Sequence, residues 1–324
     1  MITGITGMSG SHLADLLLSK QYEVHGIVRR HSYSDPWRIR HIVDKVHLHT
    51  GDLSDEIGLA NVLNEVQPDE VYNLAAQSFV KASFEMPVYT SQATGIGALN
   101  LFEAVRSTCK ESTRIYQAST SEMFGNVPSP QNETSPMNPV SPYGVAKLFA
   151  HKMAHVYRKA YGMYISCGIG FNHESERRGV EFVTRKIVLA ATRIKAGLQD
   201  SLSLGDTSAK RDWSFAPDVM EGAWLSLQQD KPDDYVFASG ETHSVQEFVN
   251  MAFHTLALNP ADYVNTDIAK FNRPTEVFEL RGDSSKAREV LGWKPTLAFK
   301  EIVQRMIAYD LSTSLYHRPL QNQN

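Results

Sequence analysis

Short runs rich in β-branched and aromatic residues alternate with stretches of helical periodicity through the first half of the chain. Residues 23–28, 46–49, 70–74, 114–118 and 164–171 read as strands. Between them Ile57, Leu59, Val62, Leu63 and Val66 recur at helical spacing, as do Leu99, Phe102 and Val105 and, later, Ala146, Phe149 and Met153. Strands alternating with helices of this length predict parallel pairing. After Phe171 the rhythm changes, and turn-rich stretches at 205–217 and 272–282 separate shorter elements. The pattern predicts an α/β fold: a Rossmann-type doubly wound parallel sheet over residues 1–171, rejoined by segments near 206–240. A smaller, interwoven C-terminal substrate-binding lobe takes most of 172–324. Only three residues precede Gly4, a first strand so short that it suits a chain beginning a few residues earlier.

Composition narrows the class. At 324 residues, 42% hydrophobic and 21% charged, the chain can bury a sizeable core. A net charge of −4 provides no global attraction to nucleic acid or anionic membrane, and neither is expected as a partner. The two cysteines, Cys109 and Cys167, form no C-x-x-C pair, so neither a disulfide framework nor a metal site is expected. No apolar run is long enough to span a bilayer, and a cytoplasmic location is expected. His47 and His49 alternate along a strand and read as structural.

Gly4-x-x-Gly7-x-x-Gly10 follows the first strand and opens a helix with Leu13, Leu16 and Leu17 on its inner face. Such a turn, which here also includes Met8 and Ser9, brings backbone close to a pyrophosphate whose charge meets the free N–H groups of the helix. About twenty residues on, where an NAD site usually carries an acidic residue, stand Arg29 and Arg30, followed by His31 and Ser32. Two guanidinium forks suit a 2′-phosphate, so NADP is the expected cofactor.

Ser141-Pro-Tyr143-Gly-Val-Ala-Lys147 starts a helix and puts Tyr143 and Lys147 at i and i+4 on one face. A phenol titrates near 10; a neighbouring ammonium is expected to favour phenolate and bring it towards working range. Ser119, Thr120, Ser121 and Glu122 end the fifth strand, at the carboxyl edge where open α/β sheets place their chemistry. The hydroxyls can bond a substrate oxygen. Glu122 can take a proton from carbon or deliver one to a leaving hydroxyl.

The glycine turn, the run Leu74-Ala75-Ala76-Gln77-Ser78, the Thr–Ser–Glu segment and Tyr-x-x-x-Lys together resemble the extended short-chain dehydrogenase/reductase family. Tyr116-Gln-Ala-Ser-Thr-Ser-Glu-Met-Phe-Gly125, Phe171-Asn-His-Glu-Ser175, Phe182-Val-Thr-Arg-Lys-Ile187, Arg211-Asp-Trp213, Arg273-Pro-Thr-Glu276 and Leu291-Gly-Trp-Lys-Pro295 narrow the likeness. They are similar to its branch of GDP-mannose 4,6-dehydratases, from Gly4 to about Asp310.

The resemblance implies a lyase acting on a GDP-sugar, with GDP-mannose as the expected substrate. Tyr143 would take the 4-hydroxyl proton, Thr120 would bond O4, and Lys147 would hold the phenolate and the nicotinamide ribose. Glu122 would remove the C5 proton and assist loss of the 6-hydroxyl. Asp52 and Leu53 would lie by the adenine, residues 74–78 and Tyr89 along the cofactor, and His173 and Arg178 near the nicotinamide and the adenine-ribose phosphate. Ser78, Ser121, Asn172, Lys186, Arg211, Arg273 and Glu276 would hold the substrate. The loop 29–40, otherwise a solvated basic stretch containing Trp37, corresponds to one that reaches a neighbouring subunit's cofactor, so a homo-oligomer, dimer or tetramer, is implied.

Two positions depart from the branch: Met8-Ser9 stand where Gln-Asp is usual, and Glu176 where proline is common. Rival readings are a dehydratase of another GDP-sugar (hexosamine or heptose), a nucleotide-sugar epimerase or reductase, and a non-catalytic NADP sensor. Glu122 argues against the epimerase and reductase, and the Tyr143–Lys147 pair against the sensor.

Overall fold

In a computed structural model, residues 1–30, 36–267 and 274–313 are described. Seven parallel strands form the central sheet. Six come from the first half: β1 (Ile2–Thr3), β2 (His25–Val28), β3 (His47–Thr50), β4 (Glu70–Asn73), β5 (Arg114–Thr120) and β6 (Tyr164–Gly170). The order β3-β2-β1-β4-β5-β6 reverses direction at β1, so a crevice opens beyond the carboxyl ends of β1 and β4. The seventh strand, Asp234–Phe237, joins the edge beside β6, with Asp234 opposite Cys167.

Helices cover both faces. One layer holds α1 (Met8–Ser19), whose Leu13 and Leu17 are buried against Tyr72 and Tyr116 of the sheet, with the helix Ala216–Leu227 beside it. The other holds α2 (Glu56–Val66), α5 (Gly97–Thr108) and α6 (Pro142–Tyr161). Between α2 and α5 lie α3 (Val80–Glu85) and α4 (Pro87–Thr90), the latter running through a π turn into α5. Periodicity misplaced two residues: Ile57, in the first turn of α2, and Phe149 point outward, 74% and 38% exposed, the latter because alanines fill the inward positions of α6. Ala150 and Ala154 let that helix lie close on the sheet.

Past β6 the chain leaves the sheet. Strand β7 (Asn172–Glu174) pairs in parallel with Trp213–Phe215, and helix α7 (Val183–Lys195) packs with Val245–Thr255 and Phe299–Thr313 around a second apolar core. Two buried polar contacts tie these parts together. Arg185 meets Asp310 at 2.7 Å, and the Asp218 carboxylate accepts hydrogen bonds from the Thr296 backbone and hydroxyl. Residues 216–237 and 285–293 thus pack with the Rossmann sheet, while the helices 183–195, 245–255 and 299–313 build the lobe.

Candidate functional site

The glycine turn stands at the reversal point. A Cβ built on Gly10 would lie 2.2 Å from the Gly4 carbonyl oxygen, so only glycine allows α1 to begin this close to β1. The helix has no side-chain cap, which leaves its first N–H groups facing the crevice. Such a cradle fits a pyrophosphate. Gly10→Ala is expected to lower the melting temperature by several degrees and to weaken binding of a reduced nicotinamide dinucleotide at least tenfold, as read by thermal melts and nucleotide-fluorescence titration.

Leu74 and Ala75 donate backbone hydrogen bonds to the Thr3 hydroxyl, which sets the 74–78 loop against the turn. Gln77 is tied by its backbone N–H to Thr94 and by its side chain to Thr90, while Ser78 is exposed. Arg29 and Arg30 line a cleft of about 370 Å³ with Asp52, and Arg29 donates to the Tyr89 hydroxyl. Leu53 behaves differently: its side chain is buried in the core against Gly97 and its carbonyl accepts from the Asn100 side chain. Residues His31 and Ser32 lie outside the described residues.

Thr120, Glu122, Tyr143 and Lys147 converge at the carboxyl end of β5, each less than a tenth exposed. Ser141 caps α6 through the Gly144 N–H at 3.0 Å and Pro142 occupies its first turn, so the helix starts one residue before Tyr143. A side chain on Gly144 would run into the Glu122 carbonyl at 2.7 Å, so glycine lets the tyrosine segment close against the Glu122 segment. The Thr120 hydroxyl accepts from the Glu122 N–H and lies close enough to the Tyr143 phenol to favour its ionised form. Lys147 Nζ donates to the Ala118 carbonyl at 2.8 Å and sits 6.0 Å from the Tyr143 ring centre.

Electrostatics differ from the expectation at Tyr143. Burial pushes its phenol well above 10, the Glu122 charge adds to the rise, and Thr120 and Arg178 only partly offset it. Burial also lowers Lys147 to about 8. Burial is the largest influence on both side chains.

His173 completes the wall. Its Nδ1 meets the Phe171 carbonyl at 2.9 Å, which fixes the proton there and leaves Nε2 to accept from the Ser9 hydroxyl at 2.9 Å. Burial holds the ring neutral, with its pKa lowered to about 4. Arg178 stacks on Phe182 and pairs with Glu174, which Thr184 also bonds; its charge is felt at both Tyr143 and His173.

The more distant candidates separate. Arg211 pairs with Glu276 at 2.8 Å. Lys186 donates to the Ser203 carbonyl, and Asn172 lies on β7 opposite Trp213. Ser121 is buried in the turn after β5. Arg273 is outside the described residues. Glu176 is buried, pairs with Arg305 of the last helix at 3.3 Å and lines a cleft with Trp37, Arg38 and Arg177.

Sequence reasoning missed Arg38. In the loop 29–40, read as solvated in its simplest form, Arg38 is instead half-buried: it stacks on Trp37 and donates to the Arg177 carbonyl, with Thr6 of the glycine turn also in reach. Its partner Trp37, adjacent in sequence, was the one local signal.

No helix among the described residues is long and apolar enough to cross a membrane. The profile of the family described as GDP-mannose 4,6 dehydratase matches residues 1–306. GDP-mannose 4,6 dehydratase 1 of Arabidopsis thaliana is 52% identical over 96% of this chain and 89% of its own length. The human GDP-mannose 4,6 dehydratase is 46% identical over 96% of this chain and 91% of its own. Among solved structures, UDP-glucose 4-epimerase of Thermus thermophilus in complex with NAD superposes with a TM-score of 0.82 at 27% identity, covering 95% of this chain and 97% of that one. The chain belongs to the GDP-mannose 4,6-dehydratase family.

Proposed function

We propose that this chain is a hydro-lyase that converts GDP-mannose to GDP-4-keto-6-deoxymannose. The observation that carries the reading is the convergence of Glu122 with Thr120, Tyr143 and Lys147 in one buried site. An epimerase or simple reductase has no use for a carboxylate that takes the C5 proton, although the fold accommodates an epimerase equally well.

The groups fit a nicotinamide dinucleotide: the glycine cradle for its pyrophosphate, residues 74–78 along its length, and His173 with Lys147 at its reactive end. When bound, it accepts hydride from C4 and returns it to C6. Tyr143 removes the O4 proton while Thr120 bonds O4 and the Lys147 charge favours the phenolate. With C4 a ketone, the C5 proton is acidic because the carbanion delocalises into the carbonyl. Glu122 takes that proton and delivers one to the departing 6-hydroxyl, which leaves as water. We assign Arg211 with Glu276, together with Asn172 and Lys186, to the nucleotide diphosphate, because a two-phosphate substrate on a chain of net charge −4 requires local cationic groups.

We take NADP as the cofactor because both residues at the end of β2 are exposed arginines lining a cleft. Arg30→Ala should raise the dissociation constant for NADP about ten- to hundredfold while leaving that for NAD nearly unchanged, since charge-assisted hydrogen bonds contribute about 1.5–3 kcal/mol. Equal losses for both nucleotides in a binding titration would place the 2′-phosphate elsewhere.

The function is tested by incubating the enzyme with GDP-mannose and related GDP-sugars and following mass. Loss of one water from GDP-mannose without net NADPH is expected. NADPH accumulation with no sugar losing water would overturn the reading.

A further inference from the structure

Behind the reacting groups, α6 carries His151 and His155 one turn apart, continuing the face that begins with Tyr143 and Lys147. Cys167 of β6 and Asp234 of the seventh strand complete a group whose donor atoms all lie within 4.8 Å of one another. His151 and Cys167 are fully buried. His151 Nδ1 is 2.9 Å from the Ser119 hydroxyl, and its Nε2 is buried without a hydrogen-bond partner, 3.6 Å from Asp234 Oδ2. Buried polar atoms are nearly always satisfied, so this unpartnered ring nitrogen asks for a partner; in the tautomer in which Nδ1 donates to Ser119, Nε2 offers a lone pair to a cation. His155 Nε2 reaches the same Asp234 oxygen at 2.6 Å, while Arg158 holds the other one.

We propose that His151, His155, Cys167 and Asp234 form a closed structural site for a divalent transition cation of the zinc class. Two imidazoles, a thiolate and a carboxylate make the borderline donor set that Zn²⁺ favours. With Zn–N about 2.0 Å and Zn–S about 2.3 Å, tetrahedral ligand atoms lie about 3.3–3.6 Å apart. The known spacings bracket that size: His151 Nε2 lies 3.6 Å from Asp234 Oδ2, His155 Nε2 lies 2.6 Å from the same oxygen and must part from it by about 0.7 Å, and the remaining pairs lie within 4.8 Å. The Cys167 sulfur gives its proton to solvent as the metal–sulfur bond forms, so thiolate and carboxylate together balance the two positive charges. Arg158 stays on the outer carboxylate oxygen, and Ser119 fixes the His151 ring from behind, as partners of metal ligands commonly do. The half-buried His155 is the entry side. A cation here would join α6 to two strands directly behind Tyr143 and Lys147.

The test uses the full chain without a polyhistidine tag. Metal-free protein incubated with Zn²⁺ and then desalted should retain one equivalent per chain by elemental analysis and melt several degrees higher. With Co²⁺ it should show tetrahedral visible bands and a sulfur-to-cobalt charge-transfer band in the near ultraviolet. His155→Val, checked for folding by circular dichroism, should lose the retained metal. Cys167→Ser should lose the charge-transfer band specifically. Wild-type protein that retains no metal, or cobalt spectra unchanged in Cys167→Ser, would overturn the proposal. So would binding that survives His155→Val and disappears in His47→Ala, because Glu23, His25 and His47 form a second, surface group.

Discussion

Glu122→Gln should lower formation of the dehydrated sugar by about 10²–10⁴-fold, the range for a positioned proton-transfer group, while C4 oxidation survives. Glutamine matches the carboxylate in shape, and Glu122 is bonded through its backbone N–H to Thr120, so the turn after β5 should stay in place. What disappears is the ability to accept a proton from C5. Three readouts separate this from a general loss of activity. Mass spectrometry should show little loss of water, absorbance should show reduced nicotinamide held on the enzyme, and wild-type exchange of solvent deuterium into C5 should vanish. Product formation at the wild-type rate would remove Glu122 from the mechanism.

How much of this was legible in the chain differs from one feature to the next. The glycine turn, the helix opened by Ser141-Pro142 and the run ending in Glu122 are local patterns, and local patterns survive in sequence. The Ser9–His173 contact joins residues 164 positions apart, and nothing in either neighbourhood announces the other. The seventh strand is four buried residues between turns, too short to carry a period, although the return of that region to the sheet could be anticipated. Phe149 was misread because alanines, weak as a hydrophobic signal, form the packed face of α6. No metal-type spacing was legible among the histidines; His151 and His155 stand at i and i+4 on α6, and Cys167 and Asp234 join them only through β-sheet pairing. The protonation of Tyr143 was legible least of all, since its spacing from Lys147 shows the helpful charge and conceals the burial.

That burial gives Tyr143 and Lys147 a testable pH signature. Tyr143→Phe removes the only phenol in the group and should lower turnover by about 10²–10⁴-fold. The productive pair holds one proton in total, as phenolate plus ammonium. At low pH both groups are protonated, and the first proton is lost near the lowered Lys147 value of about 8. The rate should therefore rise with pH through that region, or somewhat below it once a positively charged nicotinamide is bound, and then level off. In Lys147→Met the phenol must ionise alone against its raised pKa. Its rate at neutral pH should fall about 100-fold or more and keep rising to the alkaline limit of protein stability, with no plateau. Wild type and Lys147→Met profiles that level off at the same pH would mean that the lysine charge plays no part in ionising Tyr143, and would leave Lys147 only its bond to Ala118.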